Sequence, residues 1–133
     1  MKPYKIKIVT PEKTFFDGET EQIIVRTTVG NVGILAGHVP YVANLISSPL
    51  KIKIDGNFRT AAVSGGIVKV SRDGDVTIVC PAVEWADEID VDRAKRAKER
   101  AEELIKVHAS QKEFDRAEQK LRRALNRLVV AGK

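Results

Sequence analysis

The stretch Val76-Thr77-Ile78-Val79-Cys80-Pro81-Ala82-Val83-Glu84-Trp85-Ala86-Asp87-Glu88-Ile89-Asp90-Val91-Asp92-Arg93-Ala94 decides the reading of this chain, because the spacing of its apolar residues changes partway along. Up to Cys80 it is a β-branched run of the kind that fits a buried strand, and after Glu84 the apolar residues recur at helical spacing. Carboxylates gather at the change: Glu84, Asp87, Glu88, Asp90 and Asp92. They suit the positive end of a helix, and Asp90 is placed as its N-cap, with a side chain able to accept from first-turn amides. The chain therefore divides into a β domain, residues 1–84, and a helical domain, residues 85–133.

Upstream of the switch, period-two or β-branched runs predict strands at Lys5–Val9, Gln22–Arg26, Leu50–Ile54, Thr60–Val63, Ile67–Val70 and Val76–Cys80. Asp17-Gly18, Asp55-Gly56 and Asp73-Gly74 punctuate them, and Asp-Gly supplies the positive φ values of tight hairpin turns. Val63-Ser64-Gly65-Gly66-Ile67 reads as a further tight turn: it lacks the Gly-Lys-Ser/Thr of a phosphate loop and does not open a helix. Short strands joined by turns without intervening helices point to an antiparallel sandwich or barrel.

Downstream, Ala94, Ala97, Ala101, Leu104 and Ile105 share one face of a helix, and Phe114, Ala117, Leu121, Ala124, Leu125 and Leu128 share one face of a second. The break at Val107–Ser110 is short, so the two should pair antiparallel as a hairpin. Its narrow apolar stripe makes it a marginal element, able to leave the β domain. Arg116, Lys120, Arg123 and Arg127 recur at offsets of four, three and four, which places them on one face, roughly opposite the leucines. Arg93, Arg96 and Arg100 form a basic group on the first helix, so the hairpin could bring several guanidinium groups around one anion.

Composition narrows the function classes. A chain of 133 residues can bury a real core. Its one cysteine, Cys80, allows no intrachain disulfide and no thiol cluster. No stretch approaches the ~20 apolar residues of a membrane span, so the protein should be soluble or held to a membrane through partners. The two histidines, His38 in a Gly-rich turn and His108 in the interhelical loop, have no evident nucleophile or metal-ligand partner. Catalysis finds little support. The net charge of +5 and pI near 9.4 leave a basic nucleic-acid-binding protein as the alternative, although aromatic residues at 5% offer no stacking platform.

Val9-Thr10-Pro11, the run Gly30-Asn31-Val32-Gly33-Ile34-Leu35-Ala36-Gly37-His38-Val39-Pro40, Val63-Ser64-Gly65-Gly66, Ile89-Asp90-Val91-Asp92-Arg93-Ala94 and Arg123-Ala124-Leu125-Asn126-Arg127-Leu128 together resemble the epsilon-subunit family of bacterial F-type ATP synthases over almost the whole chain. Their order and their position around the β-to-helix switch make the combination specific. The resemblance implies a two-sheet β-sandwich followed by a helical hairpin. It also implies a non-catalytic rotor role in the central stalk, peripheral at the cytoplasmic face of the bacterial cell membrane. The β domain would pack on the gamma subunit and the c-ring. The hairpin would lie folded or extend toward the α and β subunits, the extended form inhibiting ATP hydrolysis.

By the same resemblance ATP is a regulatory ligand that favours the folded hairpin, with no metal required by the sequence. Ile89, Asp90, Arg93 and Ala94 match the family's I/L-D-x-x-R-A nucleotide motif, with Glu84 just upstream and Arg100, Arg123 and Arg127 as helical contributors. Arg116, Arg123 and Arg127 would make the inhibitory contacts. Asn31 and His38 would face the c-ring, although many relatives carry an acidic residue at the position of Asn31 and Pro at that of Ala36.

Overall fold

Asp55 and Gly56, with φ values of 51° and 83°, turn the chain between two strands of 14 residues each, β5 (Tyr41–Ile54) and β6 (Asn57–Val70). Two successive positive φ values are what a two-residue hairpin turn needs to match strand twist. The computed structural model describes residues 2–132 and places this hairpin at the centre of a β unit that runs up to Trp85. Around it lie β1 (Tyr4–Val9), β2 (Thr14–Thr20), β3 (Gln22–Thr27), β4 (Gly30–Leu35), β7 (Val76–Val79) and β8 (Val83–Trp85). The strand order is β2-β1-β7-β6-β5-β3-β4, with β8 beside β6. This is the expected β-sandwich.

The long strands serve more than one neighbour. Ala61–Val63 of β6 pairs with β8, whereas Ile67–Val70 pairs with β7. The exchange of partner falls on Ser64-Gly65-Gly66, which is therefore not the turn expected from sequence but the middle of one continuous strand. Gly66 has φ 122°, and a Cβ there would lie 2.3 Å from the Val79 carbonyl oxygen, so β7 can approach only a glycine. Asp17-Gly18 is likewise strand, inside β2; the β1–β2 connection is Thr10–Lys13, where the Thr10 amide donates to the Lys13 carbonyl at 2.9 Å. Asp73-Gly74 does turn the chain, between β6 and β7, with Gly74 at φ 88°. One pair departs from antiparallel order: β1 and β7 run parallel, which the many residues between them allow.

Alternation puts Tyr4, Ile6 and Ile8 of β1 inside and Lys5 and Lys7 outside. They meet Ile23, Val25, Ile34, Leu50, Ile52, Val68 and Ile78 in one core. Trp85 closes the unit, with the ring of Phe15 at 4.7 Å and the Arg59 guanidinium 3.8 Å from its centroid. Fully burying each such aliphatic side chain contributes about 1.5–3 kcal/mol.

A second unit starts at Ala86. It opens with a single 3-10 turn, Ala86–Glu88, followed by α1 (Val91–Lys106) and α2 (Gln111–Val130). Asp90 is the N-cap of α1, accepting from the Arg93 amide at 3.0 Å. Ser110 caps α2 by accepting from the Glu113 amide, while the Glu113 carboxylate accepts from the Ala109 amide at 2.8 Å. The four-residue connection folds the helices back on one another, with Ala101, Ala117 and Ala124 nearly inaccessible. Small side chains let the two backbones come close.

Candidate functional site

The basic residues of α2 do not lie opposite its buried stripe. Arg116, Lys120, Arg123 and Arg127 immediately precede Ala117, Leu121, Ala124 and Leu128, which are buried or half-buried. One residue is about 100° of rotation, so the cationic row flanks the helix seam instead of pointing away from it. Leu125, expected within the packed face, is 41% exposed. Ala117 and Ala124 set the seam, Leu128 is buried with them, and Leu125 is displaced to its edge.

Because the row flanks the seam, it borders a cleft of about 190 Å³ between the helices. Ala97, Ala101 and Leu104 give it apolar walls, and Arg100 from α1 faces Lys120, Arg123 and Arg127 from α2. Of the eight residues named for nucleotide binding, the structure gathers Arg100, Arg123 and Arg127 here. Lys120 joins them, although the resemblance does not name it; its place in the 116, 120, 123, 127 row was the available signal. Ile89 is buried, Asp90 is exposed and engaged as N-cap, Arg93 is exposed in the first turn of α1, and Ala94 is buried. Glu84 belongs to the β unit, on β8 opposite Ala62.

A neighbouring cleft of about 180 Å³ shares Leu104 and Lys120 with the first and adds Val107, His108, Glu113, Arg116 and Ala117. His108 sits at its loop end, its Nδ1 2.6 Å from the Ile105 carbonyl and its ring 5.1 Å from that of Phe114.

In the β unit, Asn31 lies on β4 and its Oδ1 accepts from Arg26 Nε at 3.1 Å across the β3–β4 pair. His38 lies in the following loop, with Nδ1 2.9 Å from the Val39 carbonyl and its ring against Tyr41. It borders an open cleft of about 760 Å³ with Tyr4, Glu19, Arg72 and Asp75, which Asn31 does not line. Burial pushes the Tyr4 phenol up to about 12 and its hydroxyl donates to the Ile34 carbonyl. Burial also raises the Cys80 thiol to about 11, so it stays a packed, unreactive thiol at neutral pH. Val42, Ile67 and Val79 are exposed on β5, β6 and β7; Ile67 and Val79 are direct cross-strand neighbours, whereas Val42 lies opposite Lys69.

Comparison with known proteins gives consistent matches. The family described as "ATP synthase, Delta/Epsilon chain, beta-sandwich domain" matches residues 3–86, and "ATP synthase, Delta/Epsilon chain, long alpha-helix domain" matches residues 87–132. The chain is 56% identical to the ATP synthase epsilon chain of Ruminococcus albus, over 100% of this chain and 99% of that one. It is 48% identical to the ATP synthase epsilon chain of Bacillus pumilus over the full length of both. Among solved structures, it superposes with TM-score 0.77 on a chain of the Euglena gracilis mitochondrial ATP synthase (OSCP/F1/c-ring in rotational state 1), covering 90% of this chain and 75% of that one at 23% identity. A chain of the Tetrahymena thermophila mitochondrial ATP synthase central stalk and c-ring gives TM-score 0.72 at 18% identity, over 96% of both.

Proposed function

The chain belongs to the ATP synthase delta/epsilon family, as an epsilon chain of the F-type enzyme, and from that premise we propose that its hairpin is a nucleotide-sensitive brake on ATP hydrolysis. The β unit serves as the fixed part, a non-catalytic stalk element that joins the gamma subunit to the c-ring at the cytoplasmic face of the membrane. The exposed Ile67–Val79 pair supports a protein contact, since apolar side chains on the surface of a stalk component are suited to being covered. The end carrying Asn31 and His38 is the proposed c-ring side.

The observation that carries the proposal is the convergence of Arg100 from one helix with Arg123 and Arg127 from the other on a single cleft. A triphosphate bridging them can do so only while the helices are paired, so ATP binding shifts the population toward the paired hairpin. At a free concentration of 100 times its Kd, ATP stabilises that state by about 2.7 kcal/mol. When the hairpin opens, the same row, with Arg116, becomes available to acidic residues of the β and gamma subunits, and hydrolysis stops.

The test compares three assembled enzymes: the parent, a truncation after Asp87, and Arg116→Ala/Arg123→Ala/Arg127→Ala. Truncation and the triple variant should both raise ATP hydrolysis and largely spare synthesis. Relief by truncation alone would leave steric insertion as the mechanism and remove the arginines from it; no relief by either would end the proposal.

A further inference from the structure

We propose that the hairpin carries an extended polyphosphate track, running from the Arg100, Arg123 and Arg127 cleft through Lys120 into the neighbouring cleft that ends at Arg116, and that it takes linear inorganic polyphosphate longer than three phosphates. The inference rests on the reading of Arg100, Arg123 and Arg127 as phosphate ligands and adds Lys120 and Arg116 to it.

The two clefts are contiguous because Leu104 and Lys120 line both. Along α2, Arg116 and Arg127 are separated by about 16 Å of helix rise, a row that three linked phosphates cover only in part. Four of the cationic groups along the two clefts are not neutralised internally. Among the described residues, Arg100, Arg116, Lys120 and Arg123 enter no ion pair, whereas the adjacent Arg122 is held by Glu118 at 2.6 Å. The single acidic residue on the track, Glu113, spends its Oε2 on the Ala109 amide. Like charges aligned along a narrow cleft repel one another, and a linear polyanion is the ligand that relieves Arg100, Arg116, Lys120 and Arg123 at once.

The lining suits a chain of phosphates: the two clefts, at about 190 and 180 Å³, share Leu104 and Lys120 and carry cationic side chains along both. The floor at Ala97, Ala101, Leu104 and Ala117 is aliphatic and offers no ring on which successive bases could stack.

The experiment is calorimetry on the full chain with ATP, inorganic tripolyphosphate and a longer linear polyphosphate of defined length. Arg116→Ala removes one charge-assisted hydrogen bond to phosphate and should weaken binding of the longer polyphosphate about tenfold, while leaving tripolyphosphate within about twofold. Lys120→Ala should weaken both, and Arg122→Ala, a charge removed off the track, should change neither. Equal losses from Arg116→Ala and Arg122→Ala would reduce the effect to general electrostatics and overturn the track, as would an Arg116→Ala variant indifferent to chain length. A single-stranded DNA of matched charge that binds as tightly, with the same Arg116 dependence, would overturn the choice of polyphosphate. If ATP binds and the longer chain gains nothing from Arg116, the track fails and the nucleotide reading stands. If the longer chain binds with the expected pattern and ATP does not, the track stands and the nucleotide reading fails.

Discussion

Replacing Gly66 with alanine should damage the β unit far more than the same change at Gly65, although both glycines are neighbours in β6 with positive φ, 122° and 90°. A Cβ on Gly66 would lie 2.3 Å from the Val79 carbonyl oxygen and 2.9 Å from Cys80 Cα, more than 1 Å inside the 3.4 Å at which ordinary contact begins for the first of these. Both atoms are backbone, so relief requires β7 to retreat and lengthens the β6–β7 hydrogen bonds of Ile67 to Val70. Strain at the backbone costs about 1–3 kcal/mol and forced overpacking a similar amount, giving about 3–5 kcal/mol in all. At Gly65 the nearest atom is the Leu45 carbonyl oxygen at 3.4 Å, and only the backbone strain of about 1–2 kcal/mol remains. Urea unfolding followed through Trp85, the only tryptophan and a buried one, reports on this unit. With m near ~1 kcal/mol/M, the midpoint should fall by about 3 M or more for Gly66→Ala and about 1–2 M for Gly65→Ala. Equal shifts at the two positions would refute the claim that close backbone approach, and not φ alone, dictates glycine at 66.

Three further outcomes follow from the same geometry. Asp90→Ala should cost the helical unit about 0.5–2 kcal/mol through removal of the cap at the Arg93 amide, seen as reduced far-ultraviolet helicity on warming; unchanged melting would remove the cap from the account. Arg100→Ala and Arg123→Ala should each weaken ATP binding by roughly 1–3 kcal/mol in calorimetry, and the double variant should lose less than the sum, since the two residues face one cleft; strict additivity would place them in separate sites. Tyr4 has a folded-state pKa raised from 10.0 to about 12, so the unfolded chain loses this proton first as pH rises. Its contribution is complete below pH 10 and falls away toward pH 12, at about 1.4 kcal/mol per pH unit as an upper bound, and Tyr4→Phe should flatten stability over that window; an unchanged slope would show that Tyr4 is not its source.

Much of the candidate site was legible before the fold was known. The family resemblance names Arg100, Arg123 and Arg127 as helical contributors, and helical spacing alone sets Arg116, Lys120, Arg123 and Arg127 in a row. What spacing could not tell was which way the row faces. Leucines are the larger apolar residues and draw the predicted packing face toward themselves, yet Ala117 and Ala124 occupy the seam because only small side chains allow the helices to approach. The row therefore lines a cleft, and Lys120 becomes part of it. Asn31 and His38 are close in sequence, but β4 ends between them, and only His38 reaches the open cleft.

Local chemistry settled everything that depends on a few consecutive residues. The β-to-helix switch, the Asp90 cap, the Asp55-Gly56 turn and the two-helix hairpin follow from side-chain periodicity and from the conformations that Asp and Gly permit. Only the tertiary structure decided what depends on residues far apart. Gly65-Gly66 reads as a turn in isolation and becomes the middle of a strand because β7 and β8 must each pair with β6 on either side of it. Asp17-Gly18 is held extended by pairing with Ile6 and Lys7 of β1, and β1 runs parallel to β7 through pairing of residues some 70 positions apart. A turn propensity of about 1 kcal/mol is outweighed when a strand's hydrogen bonds and a buried face on each side favour extension, and that competition is invisible to any short window of sequence.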